Sequence, residues 1–505
     1  MRIRLQIGLG VTIAVLGLAA GCGHVSQAPP LPEVLVVVDT NLPVPLVAAR
    51  LRVDLYAEDG TWFDTSDFGR PDRRDWPASF SIYSDDESRE RIVWARLRAY
   101  PEGAVDTYEG ERFRDLAVDP FAKVSGDEQP RLARDGNYVT PATEPSPLMT
   151  VDRLVAVRLV PQTRGRLRVL LHGACIGTMV KMSAGGKPAL GDAASCVATE
   201  KTRDVVTVSA SDDDLTTPQD SVAGTWLTGT CPPPSASDPR VCIAGGATIL
   251  GSREDSDYTP GSGSALDSAP PRVLGLSPFF VDRDELTVGA LSAIVKSGYT
   301  GALPVANDGM LGQPTGGPDK LVGCTWSFTA KERDDYPVTC VSFRTARQIC
   351  QFRGGDLLTE AQWEHVATVA GHPSKVRYPW GQDKPTCDRG VWGRIPLGTP
   401  KAACGNGAGP RRLGESARDV TPLGIRELFG SVAEWVLDDA ADFASKPWAA
   451  VPIVDAQAVS PGAKRILRGG SWMSDASRPI FRFTPAAEDG YVPVGVRCAY
   501  PVQKP

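Results

Sequence analysis

The sequence predicts an α+β protein in two parts: an antiparallel β-sandwich over residues 33–210, then a domain over 241–505 with few helices, short strands and long ordered loops. Three observations carry this. Residues 33–210 alternate with period two and show almost no helical periodicity. Residues 342–370 hold two capped helical segments, the one after Thr359 with an apolar stripe. Tryptophans 363, 380, 435 and 472 are spread along a Gly-rich irregular stretch, where a core must be assembled from loops.

The N-terminal residues set the expected compartment. Arg2 and Arg4 precede an apolar run from Leu5 to Ala20, too short and wrongly flanked for a spanning helix, which ends Ala19-Ala20-Gly21-Cys22 and reads as a secretory signal. With a cysteine at the cleavage point it resembles a bacterial lipobox, with Ala19 for the commoner Leu. That resemblance implies a lipidated Cys22 at the mature N-terminus, after a signal peptide of residues 1–22, and a membrane reached through lipid. A plain signal with Cys22 incidental is the alternative. The expected location is the bacterial cell envelope, at the outer membrane on its periplasmic or surface face. Residues 23–32 are small, polar and Pro-rich, as a tether would be.

Strands follow. Leu51, Val53 and Leu55 alternate with Arg50, Arg52 and Asp54, and Val93, Ala95 and Leu97 with Arg96 and Arg98. Val34 to Val38, Phe80 to Tyr83, Leu154 to Leu159 and Leu167 to Leu171 add further β-rich runs. Turn clusters separate them, and no helices intervene to make parallel crossovers, which is the ground for an antiparallel sandwich. Ser211-Asp212-Asp213-Asp214 and Pro232-Pro233-Pro234 mark a linker over 211–240.

Composition excludes some functions. With 505 residues, 42% apolar content and a formal charge of -6, the chain can build real cores and lacks the basic excess that suits nucleic acid. Setting Cys22 aside from the 11 cysteines leaves an even set, which in an oxidising compartment favours disulfides over metal clusters. His24, His172, His365 and His372 form no closely spaced metal-binding group. In the second domain Thr359 and Gln362 form a capping box, with Trp363, Val366, Ala367 and Ala370 on one stripe. Another helix runs from Phe343 to Phe352 behind Ser342. The tryptophans read as buried anchors, with sugar-stacking platforms as the alternative.

Several motifs in this half occur in a fixed order. They are Ile243-Ala244-Gly245-Gly246-Ala247, Pro278-Phe279-Phe280-Val281-Asp282 with Glu285-Leu286-Thr287, Pro337-Val338 to Ala346, Leu357-Leu358-Thr359-Glu360-Ala361-Gln362-Trp363-Glu364, Tyr378-Pro379-Trp380-Gly381 and Gly424 to Trp435. Arg468-Gly469-Gly470-Ser471-Trp472 and Gly495-Val496-Arg497-Cys498-Ala499 close the series. Together they resemble the formylglycine-generating (sulfatase-modifying factor) family. The resemblance implies a C-type-lectin-like fold, with a helix after Glu285-Leu286-Thr287. It also implies two reactive cysteines, where this chain has Ser474 and Pro479. A thiolate is the nucleophile and metal ligand of such chemistry, so the oxidase reaction and copper are not expected.

The same resemblance implies a calcium loop at the Gly-Asn-Val-x-Glu-Trp turn, occupied here by Ser431 and Glu434. Ser for Asn shortens one ligand arm; calcium stays a candidate beside a carboxylate hydrogen-bonded to loop amides. It further implies a helix-to-strand bridge between Cys350 and Cys498. Proximity suggests Cys231 with Cys242, Cys324 with Cys340, and Cys387 with Cys404, leaving Cys175 and Cys196 in the first domain; sequence alone does not fix the connectivity.

Three functions remain open. The first is a lipid-anchored envelope protein whose degenerate family domain, a pseudoenzyme, binds an envelope protein or a glycan. The second is a formylglycine-generating-type oxidoreductase acting on a cysteine of a sulfatase or another protein. The third is an architectural envelope lipoprotein. Ser474 and Pro479 favour the first.

Overall fold

Two units divide the chain of this computed structural model between Trp226 and Leu227. The structure describes residues 2–4, 31–108, 131–180, 193–197, 202–204, 207–209, 220–252, 265–266, 270–307, 323–394, 404, 409–443, 448, 453–460, 464–474, 482–485 and 493–502, without 234, 236 and 330. Cys22 and Pro479 therefore lie outside the described residues.

Two larger β-sheets, with three two-stranded ribbons beside them, make up the described strands of the first unit. In one, β1 (Glu33–Thr40) lies between β4 (Ala78–Tyr83) and β7 (Arg164–Leu171). The other has the order β8 (Thr207–Ser209), β6 (Val151–Leu159), β5 (Arg91–Tyr100), β2 (Arg50–Tyr56), β3 (Trp62–Gly69). The purely antiparallel expectation needs one correction: β7 runs parallel to β1, and β8 parallel to β6. After Leu159 the chain leaves β6 and joins the other sheet instead of closing a hairpin. A strand that changes sheets this way can arrive parallel to its new neighbour without a helical crossover.

Alternation along β2 and β5 places Leu51, Val53, Leu55, Val93, Ala95 and Leu97 on one face, all buried. The opposite face is buried as well, because Leu132, Val180 and Ala193 pack on it with Tyr56, Trp62 and Trp94. Its charges pair internally. Arg96 makes a two-pronged contact with Asp152 at 2.8 and 2.6 Å, and Arg98 meets Asp54 at 2.5 Å. Ser221 and Val222 hydrogen-bond to Asp39, and Trp226 N–H to Asn41 O, so this part of the 211–240 segment packs on the first unit.

The second unit is α+β. A sheet of β9 (Arg240–Ile243), β12 (Phe279–Asp282), β18 (Cys498–Pro501) and β13 (Asp356–Leu357) holds both the first and the last strand of this unit. The strands β10 (Gly246–Leu250) and β11 (Arg272–Leu276) form a ribbon. A further sheet runs β16 (Arg482–Phe483), β15 (Arg465–Arg468), β14 (Ala433–Asp439), β17 (Val494–Gly495).

Among the described residues three α-helices pack among them, each with a hydroxyl cap. Thr287 caps α1 (Val288–Lys296), Ser342 caps α2 (Phe343–Phe352), and Thr359 with Gln362 closes the reciprocal capping box of α3 (Glu360–Thr368). Trp363, Trp435 and Trp472 are almost fully buried, while Trp380 is half-buried. Five disulfides join Cys175–Cys196, Cys231–Cys242, Cys324–Cys340, Cys350–Cys498 and Cys387–Cys404. The long one ties α2 to β18 with the Cα atoms 5.4 Å apart.

Candidate functional site

Three stretches of backbone meet around Val391, Val432 and Trp472, which form a small buried cluster. Ser431 N–H donates to Val391 O at 2.9 Å and Trp472 N–H to Ser431 O at 3.0 Å. Arg394 N–H donates to Trp472 O at 2.7 Å and Gly393 N–H to Ser474 O at 2.9 Å. Two glycines make the approach feasible. A Cβ at Gly430 would stand 2.5 Å from Val391 O, and Gly469, at φ +77°, would press one against Trp363 and the Leu428 carbonyl.

The turn of Ser471 to Ser474 holds Ser474, the first position at which the resemblance implies a reactive cysteine. Ser474 N–H donates to Ser471 O at 2.9 Å, and Ser474 Oγ accepts from Ser471 N–H at 3.0 Å. Its other hydroxyl contact is Ser471 Oγ at 3.3 Å. The serine closes its own turn, and neither contact supplies a base able to activate it as a nucleophile.

Ser431 and Glu434 lie on adjoining loop and strand, but their side chains have separate partners. Ser431, at φ +58°, donates through Oγ to Glu285 at 2.8 Å, and Val432 N–H reaches the other Glu285 oxygen at 3.1 Å. Glu434 accepts from Arg497 Nε at 2.8 Å and from the Trp363 indole N–H at 2.6 Å. An ion pair and an indole thus take the place of loop amides as its partners. Calcium at this pair would have to displace Arg497 and Trp363 from Glu434. Among the described residues no three His, Cys, Asp or Glu side chains are placed to hold a metal.

Sequence reasoning missed the carboxylates packed behind this loop. Burial, with Glu427 and Glu434 nearby, pushes Glu285 well above the usual carboxylate range. Burial also lifts Asp419 to about 8 and Glu427 to about 7. Asp419 Oδ2 accepts from Phe429 N–H and Glu427 Oε1 from Gly414 N–H, while Asp419 Oδ1 and Glu427 Oε2 have no partner among the described residues. Nothing in the local sequence distinguishes such acids from surface ones; only tertiary burial does.

Residues 231–502 match the sulfatase-modifying factor enzyme 1-like domain family. The chain belongs to this family. Its second unit therefore has the α+β, C-type-lectin-like fold that the sequence predicts.

Among its relatives, a formylglycine-generating enzyme of Streptomyces coelicolor is 27% identical over 303 residues, 53% of this chain and 90% of that one. A hercynine oxygenase of Mycobacterium tuberculosis is 30% identical over 175 residues, 33% of this chain and only 37% of that protein. An inactive C-alpha-formylglycine-generating enzyme 2 of Bos taurus is 29% identical over 183 residues, 35% of this chain and 54% of that one. Of solved structures, Treponema denticola variable protein 1 aligns at a TM-score of 0.36 and 16% identity, over 52% of this chain and 94% of that one.

Proposed function

We propose that this is a lipid-anchored cell-envelope protein whose family domain binds a partner protein or glycan and does not generate formylglycine. The observation that carries the reading is Ser474: a hydroxyl stands at a reactive-thiolate position, and it is engaged in the turn of Ser471. Pro479 at the second position supports the same reading, since a proline ring offers neither nucleophile nor metal ligand. So does kinship with proteins described as inactive in Bos taurus and Mus musculus. The ten cysteines after Cys22 are all paired in the five bridges, so a redox cycle through any of them would first have to open a bridge.

The anchor rests on Cys22 and the apolar run before it. The ligand-binding reading rests on the loops of the second unit, since a rigid scaffold with variable loops is a common platform for recognition. The oxidoreductase reading has one point in its favour, the match across 90% of the Streptomyces enzyme. Incubating the purified protein with a cysteine-containing sulfatase-type peptide separates the two. Unchanged peptide is expected; conversion that disappears on a point change in the protein would overturn the reading.

A further inference from the structure

The outward face of the sheet formed by β4, β1 and β7 carries a row of cations. Along β7, Gly165, Val169 and Leu171 are buried on the core side, and Arg164, Arg166, Arg168 and Leu170 alternate with them on the other face. Arg164, Arg168 and Leu170 are exposed, and Arg166 is half-buried. Among the described strands none pairs with the outer edge of β7, so the row borders the sheet.

Register sets what lies beneath the row. On β1, Arg164 stands beside Glu33, Arg166 beside Leu35 and Arg168 beside Val37. Leu35 is half-buried and Val37 buried, although both lie on the outward face. Arginine stems cover such apolar neighbours while their charged heads stay in water. Two acids share the face. Glu33 lies 3.5 Å from Arg164, and Asp39, beside Leu170, accepts from Ser221 Oγ and Val222 N–H.

Position gives the row a use. Glu33 opens β1 directly after the tether of residues 23–32, so a lipid at Cys22 keeps Glu33 and its neighbour Arg164 close to the bilayer. A tether of that length reaches about 35 Å fully extended, and about 17 Å as a flexible coil. Either span lets the row come within the Debye length, about 8 Å at physiological salt, over which exposed charges act.

We propose that Arg164, Arg166 and Arg168 form a membrane-docking row that holds the outward face of this sheet against anionic lipid headgroups, with Leu170 entering the interface beside them. This rests on the lipid anchor at Cys22 for the nearness of the bilayer and adds a second contact to it, as a basic patch reinforces an acyl chain. The guanidinium fork matches phosphate oxygens in pairs.

The test uses the full chain with Cys22→Ser, so that no acyl chain contributes, and co-sedimentation with vesicles of phosphatidylglycerol and phosphatidylcholine or of phosphatidylcholine alone. The leader is common to every variant, so differences report the row. Tighter binding to the anionic vesicles is expected, and its loss at about 1 M salt, where the Debye length falls to about 3 Å. Arg168→Gln should weaken that binding about fivefold, and glutamine at all three positions about a hundredfold, the factors expected for arginines near an anionic surface. Arg168 is exposed, so its single variant serves if the triple variant fails to fold. Lysine at all three positions keeps the charges and should keep most of the binding.

Equal binding to the two kinds of vesicle, or equal binding by the parent and the glutamine variants, would overturn the row. So would a lysine variant as weak as the glutamine one, which would trace the effect to packing over Leu35 and Val37. Detergent partitioning of the unaltered protein tests Cys22 separately: its failure with the vesicle response intact removes the anchor alone, and the reverse removes the row alone.

Discussion

Ser471 and Ser474 close one turn on each other: the backbone N–H of Ser471 donates to Ser474 Oγ at 3.0 Å while Ser474 N–H donates to Ser471 O at 2.9 Å. A thiolate poised to attack must keep its lone pairs available, whereas this hydroxyl serves the local backbone. Changing Ser474 to Ala removes that acceptor. The expected loss is about 1 kcal/mol, the net value of one hydrogen bond, with no change in any activity; urea unfolding of both proteins measures it.

The Glu434–Arg497 pair is a harsher dependency. Both side chains are buried, and Arg497 also donates to the carbonyls of Asp282, Arg283 and Arg426, so it cannot follow its partner out to solvent. Glu434→Gln strands that charge and should cost about 3–5 kcal/mol. An unfolding midpoint unchanged from the parent would show that Glu434 is not the counter-ion.

Stability should fall as pH rises toward 8. Asp419 and Glu427, lifted to about 8 and about 7, hold their protons more tightly folded than unfolded. Groups raised in this way contribute stability that is complete below the unfolded value near 4 and is lost as pH climbs through the folded values. Glu364, held below its usual range by Lys375 and Arg468 against the effect of burial, acts in the opposite direction at lower pH. The comparison is therefore with a variant. Asp419→Asn with Glu427→Gln should flatten the decline between pH 5 and 8, and a decline as steep as the parent's would remove these two acids from the account.

Much of the second unit was legible because its signals are local. The Thr359 and Gln362 capping box, the Ser342 cap and the stripe under Trp363 each depend on residues a few positions apart. Cys350 and Cys498 are 148 residues apart, and their pairing came from resemblance. Along β2 and β5 the alternation was correct, but Arg52, Arg96 and Arg98 are buried because 132, 180 and 193 cover that face, and a strand's own pattern does not reveal a cover supplied from elsewhere. The carboxylates behind Ser431 escaped for the same reason.

That long disulfide should be the most consequential of the five. Removing it as Cys350→Ala with Cys498→Ala is expected to lower stability by about 5 kcal/mol in the chain-entropy model, more than loss of the shorter Cys387–Cys404 bridge. Guanidinium titration of the two variants ranks them, and equal losses would contradict the loop-length argument.

The proposed lipid at Cys22 predicts that the protein partitions into detergent and that Cys22→Ser moves it to the aqueous phase. A variant that stays as membrane-bound as the parent would refute the anchor.

The most direct test of the central claim is mass spectrometry of a sulfatase-type peptide after incubation with the purified protein and copper. Ser474 and Pro479, standing where the resemblance implies reactive cysteines, predict a peptide cysteine that remains unconverted. Formylglycine appearing with turnover, and lost on a point change in the protein, would contradict it.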